Sequence, residues 1–566
     1  MDTKRKIAVA GALVALACVA QAWTIGRAVV PAQDSIRYLT VAQAMSRDGL
    51  APTIRAQREQ PLFPALVCLT HAALERAGLW ADTRWATSLQ LAAALPLVFA
   101  VVPVYLLFRR LVGARAALCG GVLFCLAGEV ARLGADGLAD STHLCFFFLA
   151  LGCAGVHFAE RRAARPAWLA AAGIFTGVAL LARAEAVVIP VAVVAILAWG
   201  QRPHRRRASW TAATAAGGSF ALGLFVVLAP FLAVCGETRL DGMVGRVLGR
   251  QGAIESRPLN VSSSHGELAE PVEQHWYLDG AGWLSFGRKD FSTSSRYRGW
   301  LAALRDFATE LAHAFHYWLG GLALIGLWRL RARAFRPVDR LVQCVALALA
   351  AASLYVSVTS GYLSSRHLLA LLVLGLGCAG VGLDALARGC VAGLRRCRGM
   401  AFPGRPSDGL GSPSYLDGLG SPSYTLARRA AVALAAAACL PALVKPLHAS
   451  RAGHREAAEW LARNAGEHEV VLDSRGWTAL YTGRTTYRYE AAQTALSDPK
   501  LAYVVVEQEE LEADSRRGET LRLLAAQAME PLARFAARGA KERQHVVVHR
   551  WHPDRFQLLE ERLHAR

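Results

Sequence analysis

Five carboxylates and two arginines from distant parts of the chain stand at the ends of apolar stretches: Asp34, Glu59, Asp136, Asp140 and Glu185, with Arg183 and Arg366. Ionisable side chains at such places are costly unless they pair or face a wet cavity, which makes them candidates for function. A carboxylate can accept a proton from an attacking hydroxyl. An arginine can hold a phosphate through paired hydrogen bonds and stabilise the charge that develops as the phosphate leaves. Asp34 also has a plainer use, as the cap of a helix starting at Ser35. Glu59 and Glu185 have a structural one, pairing with Arg58 or Arg183.

The elements that would bring these groups together are membrane helices. The 566 residues are 54% hydrophobic with a mean hydropathy of +0.29, more apolar than a soluble enzyme of this size. The formal charge of +20 lies in short loops, among them Lys4 to Lys6, Arg109 to Arg115, Arg202 to Arg207 and Arg329 to Arg340. Cytoplasmic loops of a multispanning protein carry such an excess, so nucleic acid is not needed to explain it. The twelve cysteines lie almost entirely in apolar stretches, which predicts neither a disulfide framework nor a Cys-based metal site.

The expected fold is mainly α and polytopic, with about 10–11 transmembrane helices and a small C-terminal α/β domain outside the cytoplasm. With Lys4 to Lys6 inside, the first helix delivers Asp34 to the outer face. The run from Pro61 is too short to span and predicts an interfacial helix over 61–77, within an outer loop that begins at 24–60. Later spans then place Asp136, Asp140, Arg183, Glu185 and Arg366 on that same face. Gathered there, carboxylates and arginines suit sugar transfer from a lipid phosphate, whose good leaving group needs a base more than an acid.

The chain divides into a transmembrane module over 1–398, a linker over 399–428, a last helix over 429–447 and a tail domain over 448–566. Within the module, a second outer loop over 236–306 is long enough to act as a lid. The linker repeats Asp408-Gly-Leu-Gly-Ser-Pro-Ser-Tyr415 as Asp417-Gly-Leu-Gly-Ser-Pro-Ser-Tyr424, a duplication best read as inert spacer. In the tail, strands are expected at Glu469–Asp473, Ala502–Glu507 and Val546–Trp551, with helices at Glu456–Asn464 and Glu519–Ala528. The tail carries no phosphate loop or catalytic motif, and no catalysis is assigned to it.

Several short segments resemble one family. Asp34-Ser35-Ile36-Arg37-Tyr38, Glu59-Gln60-Pro61-Leu62-Phe63-Pro64, Asp140 before an apolar helix, Leu181-Ala182-Arg183-Ala184-Glu185 and Ser365-Arg366-His367-Leu368-Leu369 are similar, in this order, to motifs of GT-C superfamily glycosyltransferases. These are the polyprenyl-phosphate-sugar-dependent enzymes that include protein O-mannosyltransferases and the aminoarabinose transferase of lipid A. The resemblance covers about residues 7 to 390 and departs from the family at Ser35, Glu59, Gln60, Ala184 and His367.

It implies an inverting transfer with Asp34 as base and Asp140 as a second acid that orients the acceptor or a metal; Asp136 is the alternative. Arg366 would meet the donor phosphate, and Arg37, Tyr38, Arg183 and Glu185 would complete the substrate site. The implied partners are a polyprenyl-phosphate-linked sugar, a lipid, glycan or protein acceptor, and membrane lipids. A divalent metal ion is the only cofactor it allows for. The expected setting is a bacterial inner membrane, with the N-terminus cytoplasmic and the tail periplasmic. A transporter or flippase is the competing reading, against which stands the lack of an internal repeat relating two halves.

Overall fold

The computed structural model describes residues 3–57, 59–79, 84–159, 166–199, 208–236, 242, 244, 299–331, 336–360, 363–400, 422–482, 484–514, 516–537, 541 and 544–564. Most of the loop expected over 236–306, the linker up to residue 421 and Arg58 lie outside them; the last helix starts at Pro422, inside the expected linker.

Among the described residues sixteen α-helices build the module and the last span: α1 Thr3–Arg27, α2 Gln33–Asp48, α3 Leu50–Ala56, α4 Leu62–Arg76, α5 Arg84–Val112, α6 Ala114–Leu126, α7 Gly128–Asp136, α8 Asp140–Ala159, α9 Pro166–Ala182, α10 Val188–Trp199, α11 Ala208–Cys235, α12 Trp300–Ala314, α13 Trp318–Leu330, α14 Pro337–Ser360, α15 Leu369–Met400 and α16 Pro422–Val444. Among the described residues seven helices are long and apolar enough to cross a membrane, and the bent pair α6–α7 makes an eighth. Three shorter apolar helices, Pro166–Ala182, Ala184–Trp199 and Trp318–Leu330, join them in a multi-span membrane bundle of the expected size.

Lipid offers no hydrophobic drive between helices, so close backbone approach at small residues has to hold the bundle together. Two seams do this. On α9 and α11, a methyl group added at Gly173 would run into the Phe220 carbonyl, and one at Gly223 into the Ala170 carbonyl. On α15, one at Gly380 would meet the Ala116 carbonyl of α6. The opposite face of α11 presents Leu222, Phe225 and Val226 outward, each more than half exposed, as a lipid-facing surface must.

The tail is an α/β unit with a five-stranded sheet in the order β2-β1-β3-β5-β4. Its strands are β1 Val470–Asp473, β2 Thr486–Arg488, β3 Leu501–Glu507, β4 Met529–Phe535 and β5 Val546–Trp551. β1 runs parallel to β2 and β3, whereas β5 is antiparallel to β3 and β4. Three strands and both helices, Ala452–Asn464 and Arg516–Gln527, lie where the apolar patterns place them. β2 and β4 give weak sequence signals, because one is three residues long and the other is an edge strand containing Pro531. The tail also reaches into the bundle: Trp477 and Leu480 share a buried cluster with Val30, Ile36, Leu39, Phe63 and Leu89.

Candidate active site

The site is assembled at four helix ends. α2 carries Asp34 in its first turn and Tyr38 one turn later. Asp140 opens α8, where the helix dipole favours a negative charge. Arg183 and Glu185 stand at the break between α9 and α10. Arg366 lies in the short turn Ser365–Leu368 that leads into α15. That turn is tied down twice: the Ser364 backbone N–H donates to His367 Nδ1 at 3.3 Å, and Ser365 Oγ donates to Glu129 Oε2 at 2.9 Å.

The ionic groups form one chain of alternating sign. Arg366 donates through Nη1 to Asp34 and through Nη2 to Asp140 Oδ2 at 2.9 Å. Arg183 Nη1 donates to the other oxygen of Asp140, and its Nε donates to both oxygens of Glu185 at 3.1 Å. Three carboxylates against two guanidiniums leave one negative charge. Asp140 is 3% exposed and Asp34 is 69% exposed, so the chain runs from the interior to the surface. Arg366 Nε is buried and has no hydrogen-bond partner among the described residues. Beside the chain, enclosure of Tyr38 raises its phenol above the usual range, against the nearby Arg183 charge.

Several sequence expectations change at this point. Asp34 is not a cap: the helix starts at Gln33, Ala32 occupies the cap position without a side-chain bond, and the carboxylate turns to Arg366 instead. Arg37 pairs with Glu59, which ties α2 to the segment just before α4. Asp136 is held by His448 Nε2 at 2.9 Å and lies 3.7 Å from Arg132 Nε, apart from Arg366. Asp140 is therefore the acid that joins Asp34.

A small cavity of about 10 Å³ opens on this chain, lined on its charged side by Asp140, His143, Arg183, Glu185, Arg366 and His367. His143 was not anticipated, although its place three residues after Asp140 puts it on the same helix face. Leu349 of α14 and Leu369 and Ala370 of α15 form the apolar side of the cavity. A second, larger hollow of about 910 Å³ lies between α5, α12, α13, α14 and α15, with Ala346 and Leu371 in its wall. It is lined mostly by Leu, Ala, Gly and Phe side chains. Tyr317 stands on its rim in a strained turn, where both His316 (φ 45°) and Tyr317 (φ 56°) adopt the left-handed region disfavoured for side-chain-bearing residues. No turn-forming residue type announced this feature in the sequence.

Among the described residues no group of three His, Cys, Asp or Glu side chains is placed to hold a metal ion. The carboxylates that a divalent ion would need are each turned onto an arginine, so this arrangement does not fit one.

Residues 79–232 match the model of the family described as dolichyl-phosphate-mannose-protein mannosyltransferase, a stretch that contains Asp140, Arg183 and Glu185. The crystal structure of ArnT from Cupriavidus metallidurans bound to undecaprenyl phosphate aligns over 95% of this chain and 97% of that one, with a TM-score of 0.57 and 16% identity. The chain shares the fold of ArnT over nearly its whole length. It aligns likewise with ArnT in the apo state at a TM-score of 0.55 and 16% identity, with the same coverage of 95% and 97%. The oligosaccharyltransferase of Archaeoglobus fulgidus tethered with an acceptor peptide aligns at a TM-score of 0.50 and 12% identity, over 94% of this chain and 73% of its own. Comparison with curated proteins finds no match.

Proposed function

We propose that this protein transfers a sugar from a polyprenyl-phosphate donor to a lipid, glycan or protein acceptor, by a single displacement that inverts the anomeric carbon. The observation that carries this reading is Arg366, which bridges Asp34 and Asp140 in a small charged cavity, in a bundle that also holds a large apolar hollow. The polyprenyl chain would lie in the hollow and its phosphate beside Arg366. A phosphate that takes over Arg366 detaches Asp34 from it. Asp34 then accepts the acceptor's hydroxyl proton while the hydroxyl oxygen bonds to the anomeric carbon. The carbon–oxygen bond to phosphate breaks, and polyprenyl phosphate departs with its charge met by Arg366 and Arg183. Asp140 and Glu185 orient the two arginines, and no step requires a metal.

The basic loops favour an arrangement with the N-terminus in the cytoplasm of a bacterium and the site and tail on the periplasmic side of the inner membrane. The test compares membranes holding matched amounts of wild type and Asp34→Asn, supplied with a pool of polyprenyl-phosphate sugars. Release of polyprenyl phosphate by wild type alone is expected. Equal release by both removes Asp34 from the mechanism, and release by neither favours transport of a lipid-linked solute.

A further inference from the structure

We propose that the tail domain is part of the catalytic apparatus: Trp477 is a positioning residue that holds Asp34 in place. The inference rests on the reading of Asp34 as the base, but its structural half stands separately.

The segment between α1 and α2 has little regular structure of its own, and α2 begins without a side-chain cap. Its backbone is fixed largely from the tail. Val29 N donates to Leu447 O at 3.2 Å, Tyr481 Oη donates to Val29 O at 3.5 Å, and Trp477 Nε1 donates to Pro31 O at 3.1 Å. His448 holds the Asp136 carboxylate while Ala32 N donates to the Asp136 carbonyl at 3.1 Å. Asp34 follows two residues later.

The turn that presents Trp477 is rigid for reasons within the tail. Asp473, wholly buried at the end of β1, accepts from the backbone N–H of Arg475 at 2.9 Å and of Thr478 at 2.8 Å. Gly476 takes φ +83°, which only glycine adopts freely, and this lets the chain turn directly over Ile36 of α2. Behind it, Glu507 gathers Arg451, His454 and Arg475 at the C-terminal ends of parallel strands β1 and β3. In open α/β sheets that crevice commonly receives a ligand. Here the chain's own charges fill it, and the loop above it carries a tryptophan that is 3% exposed into the bundle. A spacer domain would need none of this.

The test uses the full chain in lipid nanodiscs. Trp477→Ala is expected to raise hydrogen exchange across residues 28–40 while leaving α8 and β3 protected. With a polyprenyl-phosphate sugar as donor, kcat should fall about 10- to 100-fold, the scale of a misplaced catalytic group, with donor KM within about twofold of wild type. Trp477→Phe, which keeps the ring and loses the bond to Pro31, should recover most of kcat. Gly476→Ala gives a second perturbation if Trp477→Ala fails to accumulate, because its methyl would lie 3.2 Å from Ile36 Cγ2 and push on α2. Unchanged exchange over 28–40, or a loss of kcat that merely follows the loss of folded protein, overturns the proposal. If wild type itself releases no polyprenyl phosphate, the glycosyl-transfer reading fails and the exchange result alone decides the brace.

Discussion

Neutralising Asp140 and neutralising Asp34 should have different consequences, although each removes one negative charge from the same ionic chain. Asp140 is 3% exposed and each of its oxygens accepts from a different guanidinium. Asp140→Asn therefore leaves Arg183 with Glu185 alone and Arg366 with the exposed Asp34 alone. Breaking a buried pair on one side costs about 3–5 kcal/mol, because the partner charge stays buried with less compensation. Asp34 is 69% exposed, and its pairing contributes at most about 1 kcal/mol, as exposed ion pairs do. Unfolding followed by tryptophan emission or ligand-free thermal aggregation in nanodiscs should thus show Asp140→Asn well below wild type and Asp34→Asn close to it. Turnover should be lost in both, from an intact protein in one case and a loosened one in the other. Equal stability of Asp140→Asn and wild type would refute the reasoning, as would an Asp34→Asn protein as unstable as Asp140→Asn.

Three further outcomes are expected. Acid should loosen the tail: Glu507 is held down to about 2, burial being outweighed by the His454 hydrogen bond and the Arg475 and Arg451 charges, and burial holds His549 down to about 4. Both bind fewer protons folded than unfolded, so their stabilisation is complete above the unfolded values of 6.5 for His and 4.5 for Glu and is lost as pH falls from there to the folded values of about 4 and about 2. Hydrogen exchange of β5 between pH 7 and 4 measures the histidine's share and a scan continued toward pH 2 the glutamate's, and a flat profile contradicts both. Bulk placed in the apolar hollow by Ala346→Trp should raise the KM of a long-chain donor and spare a short-chain one; an equal effect on both would place the lipid elsewhere. At the α9–α11 seam, Gly173→Leu should lower the yield of folded protein, since the Phe220 carbonyl leaves no room even for a methyl group, and normal accumulation would argue against close helix contact there.

Much of the site was legible because its parts are marked by chemistry that membranes penalise. Asp34, Asp140, Arg183, Glu185 and Arg366 stand out at the ends of apolar runs, and charge asymmetry between loops was enough to put them on one face. Their pairing was less legible. Nothing in the sequence says that Arg37 prefers Glu59 to a substrate, or that His448, more than three hundred residues away, takes Asp136 out of contention. Such contacts depend on how the tail docks, and docking is set by shape: Gly476 and Trp477 look like an ordinary turn until Ile36 lies beneath them. The bundle itself followed from apolar lengths, and the sheet from alternation, except where β4 is exposed and broken by Pro531.

The most direct measurement follows the anomeric proton of the transferred sugar by NMR, with purified protein, one defined polyprenyl-phosphate sugar and a membrane extract as acceptor source. Product of inverted configuration, formed with one polyprenyl phosphate per sugar by wild type and not by Asp34→Asn, is the predicted result. Retained configuration, or equal turnover by Asp34→Asn, would contradict a single displacement with Asp34 as its base.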